Sequence, residues 1–400
     1  MNGFGAWESF EAEGGRFVTC YRPPVPPMPP LDEVWEALDR ARPILEAFDR
    51  ALSAFPVPGV LGRLFARLDA VHSSGAEGAT TTFTDLLEYQ SALRRAKDPQ
   101  DAASVAGAAE AFDALHEKME EPCDAALAIH RRLFEHDTDP YWAAQAGHWK
   151  TYPNATEDPE SSTGLFHYTS PASLAEALAE WKAFTMAEGG PELVRQALSH
   201  WMFEHIHPNA GGNGRVGRLL VPLVLRAKGG TRNACGFLGE AVHRDKQTYI
   251  DALKRGRRTG DMGAWTRVFL SLAAQTAGLN LDRLVRLGWL HDEWRRATKS
   301  VRSDSVIHDL VPWILTKPTF TVRDALAGIG RGTFASVNRA VGQLAGMGIT
   351  EMIGTGARDR LFTAPAVIAL FEGPSARRTQ PPEPRLSRPS GKKLNRMNRL

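Results

Sequence analysis

His207-Pro208-Asn209-Ala210-Gly211-Gly212-Asn213-Gly214-Arg215-Val216-Gly217-Arg218 is the stretch on which the reading of this chain turns. It lies between two runs of helical spacing, 193–205 and 216–227. Gly211, Gly212 and Gly214 let the backbone turn tightly and approach a ligand closely. Successive N–H groups in such a turn form a nest for an anion, and the start of the following helix adds partial positive charge. Arg215 and Arg218, three apart, share a helix face from which each guanidinium can make charge-assisted bonds to phosphate oxygens. Asn213 supplies a side-chain donor or tolerates a left-handed backbone. His207, at the end of the preceding helix, can exchange a proton near neutral pH. The pattern implies a phosphate-binding loop with a base at its entrance. A glycine-rich linker carrying two solvated arginines accounts for the glycines, but not for His207 and the rest of the spacing. His205 is two residues from His207 and off its helix face, so the pair is no metal pair; His205 is expected to be packed.

Working outward, helical spacing dominates residues 31–300 and predicts a mainly α protein. Leu31, Val34, Trp35 and Leu38 mark a first helix, which Pro43 is expected to interrupt; Ile44, Leu45, Phe48 and Leu52 mark a second, and Leu61, Leu64, Phe65 and Leu68 another. Further helices are expected at 84–96, 101–118, 122–134, 173–188, 241–255, 262–276 and 278–300. Prolines break residues 136–171, where 149–152 and 166–168 suggest a β-hairpin. Pro23 to Pro30 make residues 1–30 an extended lead-in. After residue 300 the pattern changes to helices at 303–315, 322–326 and 333–345, then strands at 349–353 and 360–363 around a turn at 354–359. That order is a winged helix. The tail from Ser375 holds eight Lys/Arg, one glutamate and several prolines, and is expected to be disordered.

Composition narrows the class. The chain has 400 residues, of which 43% are hydrophobic and 24% charged, which is globular usage. Two or three domains are expected at this length. A formal net charge of +2 gives no bulk attraction to nucleic acid. Cys20, Cys123 and Cys235 are odd in number and far apart, as expected of reduced thiols. No run approaches a membrane span, and the first 20 residues lack a signal-peptide pattern. A soluble, cytoplasmic protein with no membrane partner is the expectation.

The loop resembles the motif of the Fic family, His-x-Phe-x-Asp/Glu-Gly-Asn-Gly-Arg-x-x-Arg, at His207, Gly212, Asn213, Gly214, Arg215 and Arg218. The resemblance implies an all-helical Fic core with a small β-hairpin flap, followed by the winged-helix domain. It divides the chain into an N-terminal segment 1–30, a helical region 31–135, a core 136–300, a winged helix 301–370 and a tail 371–400. It implies a protein adenylyltransferase: the histidine deprotonates a target hydroxyl, which attacks the α-phosphate of ATP. By resemblance His207 is the base; Asn213, Gly214 and Arg215 hold the α- and β-phosphates, Arg218 the γ-phosphate, and Gly212 is a further phosphate-binding position of the loop. Asn209 stands where the family has an anchoring aromatic, which implies a looser loop. Gly211 stands where the family has the carboxylate ligand of Mg²⁺ or Mn²⁺; a hard cation wants oxygen ligands, so metal binding lacks its usual protein ligand and no residue is assigned to it.

Two further segments carry the resemblance. Ser73-Ser74-Gly75-Ala76-Glu77-Gly78 is similar to the family's inhibitory motif, in which the glutamate pairs with the second loop arginine; a Ser-rich turn with a helix N-cap is the other reading. Carried over, Glu77 pairs with Arg218 and, with Ser73, holds the site shut, because a carboxylate in the guanidinium fork competes with phosphate. Lys150 and Thr151 fall in the flap, which docks the target by strand addition. Tyr249 and Trp265 fall in closing helices. The implied partner is a target protein, or the chain itself. Arg331, Arg339, Arg358 and Arg360 allow a DNA partner through the winged helix, although protein docking needs fewer cations. Family members often form homodimers. The rival reading is a nucleotide-sensing, DNA-binding regulator without catalysis.

Overall fold

The computed structural model describes residues 4–12, 15–55, 58–93, 99–159, 161, 163–353 and 360–372. The expected wing turn at 354–359, with Arg358, and the tail from Ser375 lie outside the described residues. The fold is mainly helical, with two small sheets.

Residues 6–22 form a hairpin, β1 (Ala6–Ala12) and β2 (Arg16–Arg22), where an extended lead-in was expected. The prolines that suggested it begin only after β2 ends. Trp7 lies opposite Tyr21 in the register, and their rings meet edge-on at 5.3 Å; such cross-strand aromatic pairs stabilise a ladder. Next comes α1 (Leu31–Ala54), which runs straight through Pro43. Proline removes one N–H and one ladder bond, but the buried stripe Val34, Leu38, Ala41, Leu45, Phe48 and Leu52 continues across it, so packing outweighs the lost bond.

The helical region continues with α2 (Pro58–Gly75), α3 (Phe83–Glu88) with a π-helical turn Tyr89–Leu93, α4 (Pro99–Leu115), α5 (Pro122–Phe134) and the short α6 (Pro140–Gln145). The aromatic pieces at 149–152 and 166–168 do not pair with each other. The hairpin is β3 (Ala155–Glu157) with β4 (Leu165–His167), and β4 also pairs with β2 in the sheet β1-β2-β4-β3. Proline at 153 keeps the first piece out of the ladder.

The centre is the pair α7 (Leu174–Met186) and α8 (Glu192–Ile206), with α9 (Asn213–Ala227) packed beside α8. Every residue of α8 from Leu193 onward is buried, and Val216 to Leu225 of α9 are buried too. Indole N–H groups of Trp181 and Trp265 donate to the α8 carbonyls of Ser199 (3.0 Å) and Ala197 (2.7 Å). Full burial explains why Val216 to Leu225 reads as a nearly continuous apolar run, while α8 buries Arg195, Gln196, Ser199, His200, Glu204 and His205 as well. Two helices follow where one was expected, α10 (Gly239–Arg244) and α11 (Lys246–Thr259), because Asp245 leaves helical geometry and caps α11 through its side chain. One helix follows where two were expected, α12 (Met262–Ala297), which runs alongside α1 in the same direction: Arg267 donates to the Glu33 carbonyl near one end and His291 meets Phe55 near the other.

The C-terminal unit comprises α13 (Ile307–Ile314), β5 (Thr319–Thr321), α14 (Val322–Ile329), α15 (Phe334–Gly346), β6 (Glu351–Ile353), β7 (Leu361–Thr363) and α16 (Pro365–Glu372), with sheet order β5-β7-β6. It docks on α3: Phe83 stacks on Phe371 at 4.9 Å, the Thr84 amide donates to Glu372 (2.7 Å), and Ser91 donates to the Thr319 carbonyl (2.9 Å). No helix among the described residues is long and apolar enough to cross a membrane.

Candidate active site

The loop 207–212 joins the end of α8 to the start of α9. Two residues take the left-handed conformation that turns the chain: His207, the only non-glycine residue with positive φ among those described (φ 50°), and Gly212 (φ 70°). A non-glycine residue there costs about 1–3 kcal/mol, which the surroundings must hold in place. The first N–H groups of α9 have no acceptor inside their helix and point at whatever occupies the cleft.

His207 is held from two sides. Its Nδ1 lies 3.1 Å from the Glu204 carbonyl, which makes Nδ1 the protonated nitrogen and leaves Nε2 to accept a proton. Tyr168, just after β4, stacks on the imidazole at 3.9 Å with 11° between the planes. Burial, aided by the nearby Lys150 charge, lowers the His207 pKa to about 3, so the ring is neutral at physiological pH.

The backbone under His207 rests on buried polar side chains. Lys150 Nζ donates to Asn154 (2.7 Å) and to the Ile206 carbonyl (3.2 Å), and its own amide donates to the Pro208 carbonyl (2.9 Å). Asn154 Nδ2 donates to the carbonyls of His207 (3.1 Å) and Asn209 (2.8 Å). Asn209, far from loosening the loop, is fully buried: it donates to the His148 carbonyl (3.0 Å) and trades two bonds with Asn213 (2.9 and 2.8 Å). Hydrogen bonds anchor the segment where the family motif uses an aromatic. Lys150 is therefore buried support, its pKa lowered by burial to about 7. Thr151 beside it is exposed.

At the other end, Arg218 is 1% exposed and bonded through Nε and Nη2. Its Nε donates to Ser73 Oγ (2.8 Å), and its Nη2 to the Ser73 carbonyl (2.9 Å) and to Glu77 Oε1 (2.7 Å). Glu77 follows α2 in a turn, its amide bonded to the Ser74 carbonyl (2.9 Å). Its second oxygen lies 3.6 Å from Lys246 Nζ. Burial pushes the Glu77 carboxyl up, but Arg218 and Lys246 outweigh that and hold it below its usual value. The glutamate side chain is 38% exposed, so water screens the pair and the contact is one a competing anion can displace. A β-carbon on Gly214 would come within 2.7 Å of Glu77 and 2.8 Å of Arg218, so this contact needs glycine there.

Arg215 donates to Ser104 on α4 (2.8 Å), and its guanidinium lies over Phe134 at 5.2 Å. Phe134 stacks on Trp142 of α6 at 5.4 Å. Trp142 decides the question of a metal: a β-carbon on Gly211 would meet its ring at 2.7 and 2.9 Å. The place of the family's carboxylate is filled by an indole, and the residues present do not fit a cation there. Among the described residues, no group of three or more His, Cys, Asp or Glu is arranged to hold a metal.

These elements enclose a cleft of about 400 Å³. One wall is the loop with His207, Asn213, Gly214, Arg215 and Arg218; the opposite wall, from α10 and α11, offers Val242, Ile250 and Leu253 beside Lys246 and Lys254. Tyr249 is buried and bonded to His200 (2.9 Å). The structure thus brings His207, Gly212, Asn213, Gly214, Arg215, Arg218 and Glu77 to one cavity. Lys150 and Thr151 do not line it. His205 packs inward, its Nδ1 on the Trp201 carbonyl (2.8 Å). Sequence reasoning missed Tyr168, Trp142, Asn154, Ser104 and Lys246. No motif marks them; only the asparagine-for-aromatic exchange at 209 hints that a polar support lies beneath.

The site of this helical protein combines an anion nest at a helix start, a neutral histidine at its entrance and an acidic turn plugging its far arginine. The Fic/DOC family pattern matches residues 120–225, and the pattern of that family's N-terminal region matches residues 35–115. Among solved structures, the fold is similar to a Fic family protein from Desulfovibrio desulfuricans, with 15% identity, 85% of this chain and 98% of that one covered, and a TM-score of 0.53. Two others are a Fic domain containing signaling protein from Bacteroides thetaiotaomicron (18% identity, 64% and 97% covered, TM-score 0.48) and Fic-1 from C. elegans (19%, 64% and 73%, 0.47). The chain thus carries a Fic/DOC domain at residues 120–225, preceded by that family's N-terminal region at residues 35–115.

Proposed function

We propose that the protein is an autoinhibited nucleotidyl transferase that moves AMP from ATP to a hydroxyl side chain of a target protein or of itself. The observation that carries this reading is the joint one: an available, neutral His207 Nε2 at one end of the loop and a carboxylate in the phosphate-binding fork of Arg218 at the other. A site without catalysis would need neither.

In the proposed reaction the nucleotide displaces Glu77. The N-terminal amides of α9, with Asn213 and Gly214, cradle the phosphates, and Arg215 and Arg218 neutralise their charge. The apolar patch Val242, Ile250 and Leu253 takes the base. The target hydroxyl enters beside the β3–β4 hairpin, and His207 Nε2 removes its proton as the oxygen bonds the α-phosphorus. The bond to the bridging oxygen breaks and pyrophosphate leaves. His207 can hold the proton because Nδ1–H stays on the Glu204 carbonyl throughout. Nothing in the cleft selects adenine over other bases.

Trp142 over Gly211 favours a second reading, a nucleotide-sensing regulator that binds but does not transfer. In that case the C-terminal unit, as a winged helix, would deliver the signal to DNA or to a protein. Intact-mass spectrometry separates the two. Incubated with ATP, the Glu77→Gly protein should gain the mass of an adenylyl group (AMP less one water), and Glu77→Gly/His207→Ala should not. No gain in any variant, with ATP bound, would favour the regulator.

A further inference from the structure

Glu77 does not sit on Arg218 alone. Its Oε1 takes the arginine at 2.7 Å, while its Oε2 faces Lys246 Nζ at 3.6 Å. One carboxylate thus bridges two cations on opposite walls of the cleft, one on α9 and one at the start of α11. An anion that replaces the carboxylate inherits both. A terminal phosphate group, with more oxygens and more charge, can span the same gap.

The second observation lies across the cleft. Trp142 fills the space that an acidic side chain at Gly211 would need, so the loop offers no carboxylate to a cation bridging the phosphates. A triphosphate bound here still carries several negative charges close together, which must be neutralised. The other cations of the far wall are not equivalent. Arg257 is committed to Asp158 at 2.6 Å and to the Phe166 ring at 3.6 Å. Lys246 is the lysine whose ammonium already pairs with an anion beside Arg218, and its flexible stem can follow a ligand. Its side chain is 45% exposed, so it contributes little to the fold.

We propose that Lys246 is a ligand for the terminal phosphates of a nucleoside triphosphate, and that it supplies from the α11 wall the positive charge that the loop no longer recruits through a metal. Lys246 is then both the second arm of the inhibitory contact and a phosphate-binding residue. The inference rests on the nucleotide reading above. Two consequences follow: triphosphate binding tolerates removal of divalent cations, and Lys246 discriminates between nucleotides that have a terminal phosphate and those that lack it.

Calorimetric titration of ATP and AMP into Glu77→Gly, Glu77→Gly/Lys246→Met and Glu77→Gly/Lys246→Arg, with Mg²⁺ and with EDTA, tests this. For Glu77→Gly, chelation should change the Kd for ATP by less than about threefold. Loss of one charge-assisted contact should weaken ATP about tenfold in the Met variant under EDTA. AMP should change by less than about twofold, and the Arg variant should hold ATP within about threefold. Equal changes for ATP and AMP, no change for either, or a large effect of chelation on Glu77→Gly overturns the role of Lys246 while leaving nucleotide binding intact. Failure of both nucleotides to bind Glu77→Gly overturns the transferase reading itself, and this inference with it. Because Lys246 is half exposed, unchanged circular dichroism and melting behaviour are expected in both variants.

Discussion

The two ends of the loop between α8 and α9 are held in different ways. At the His207 end, Lys150 and Asn154 bind main-chain carbonyls from within the protein, and Asn209 with Asn213 closes the turn on itself. No ligand competes for those bonds, so the base stands in a fixed place. At the Arg218 end, the contact comes from a partly exposed carboxylate that a phosphate can replace. One end is built for position and the other for exchange, and that division is what the proposed inhibited transferase requires.

The comparison makes predictions that differ in size. His207→Ala in a Glu77→Gly background should lower transfer about 10³-fold, the usual contribution of a positioned base, with the Kd for ATP nearly unchanged. Equal losses in affinity and rate would mean that His207 shapes the loop instead. Glu77→Gly alone should raise ATP affinity by about 10- to 100-fold, since it removes a competing charge-assisted contact; calorimetry on wild type and variant measures it. Asn154→Ala strips a donor from two buried carbonyls and should cost about 1–3 kcal/mol in denaturant unfolding. Its effect on ATP affinity should be small, because the exchangeable end is untouched. Gly211→Asp should cost a similar about 1–3 kcal/mol by overpacking, and Trp142→Ala should relieve part of that cost.

The smallest expected effects concern pH. Glu77 is held below its ordinary value, mainly by Arg218 against the opposing effect of burial, so the contact is complete at neutral pH and is lost only as pH falls below the usual carboxylate range. Inhibition should therefore persist at pH 5. The buried histidines act in the same direction on the fold. Burial lowers His200, His205 and His207 to about 3, and His72 and His130 to about 4, so the unfolded chain takes up protons first. These five histidines lower the melting temperature as pH drops from about 6.5 towards 4; Asp69 and Glu204, raised by burial to about 7, act against them, and Lys150, lowered by burial to about 7, adds stability as pH rises above 7.

Much of this was legible in the sequence. The exchangeable end could be read because its residues carry charge at fixed spacing: Arg215 and Arg218 on one helix face, Glu77 after a serine pair. The fixed end could not. Lys150 and Asn154 act through main-chain carbonyls, and neither type nor spacing announces a bond to a backbone oxygen 53 to 56 residues away. The same limit explains the misread elements. Pro43 signals a break, yet α1 continues because the burial of Phe48 and Leu52 against distant helices decides the matter. The β1–β2 hairpin was obscured by the prolines after it, and its pairing with β4 joins segments some 145 residues apart. Trp142, which decides the fate of the metal position, lies in a proline-rich stretch without periodicity.

The central claim is that this cleft transfers the α-phosphate with its nucleoside and releases pyrophosphate. The most direct measurement compares Glu77→Gly protein incubated with ATP labelled in the α-phosphate and with ATP labelled in the γ-phosphate. Protein-bound label from the α-position alone, absent when His207 is also replaced by alanine, is the predicted result. Label from the γ-position, or α-label that survives the loss of His207, would contradict it.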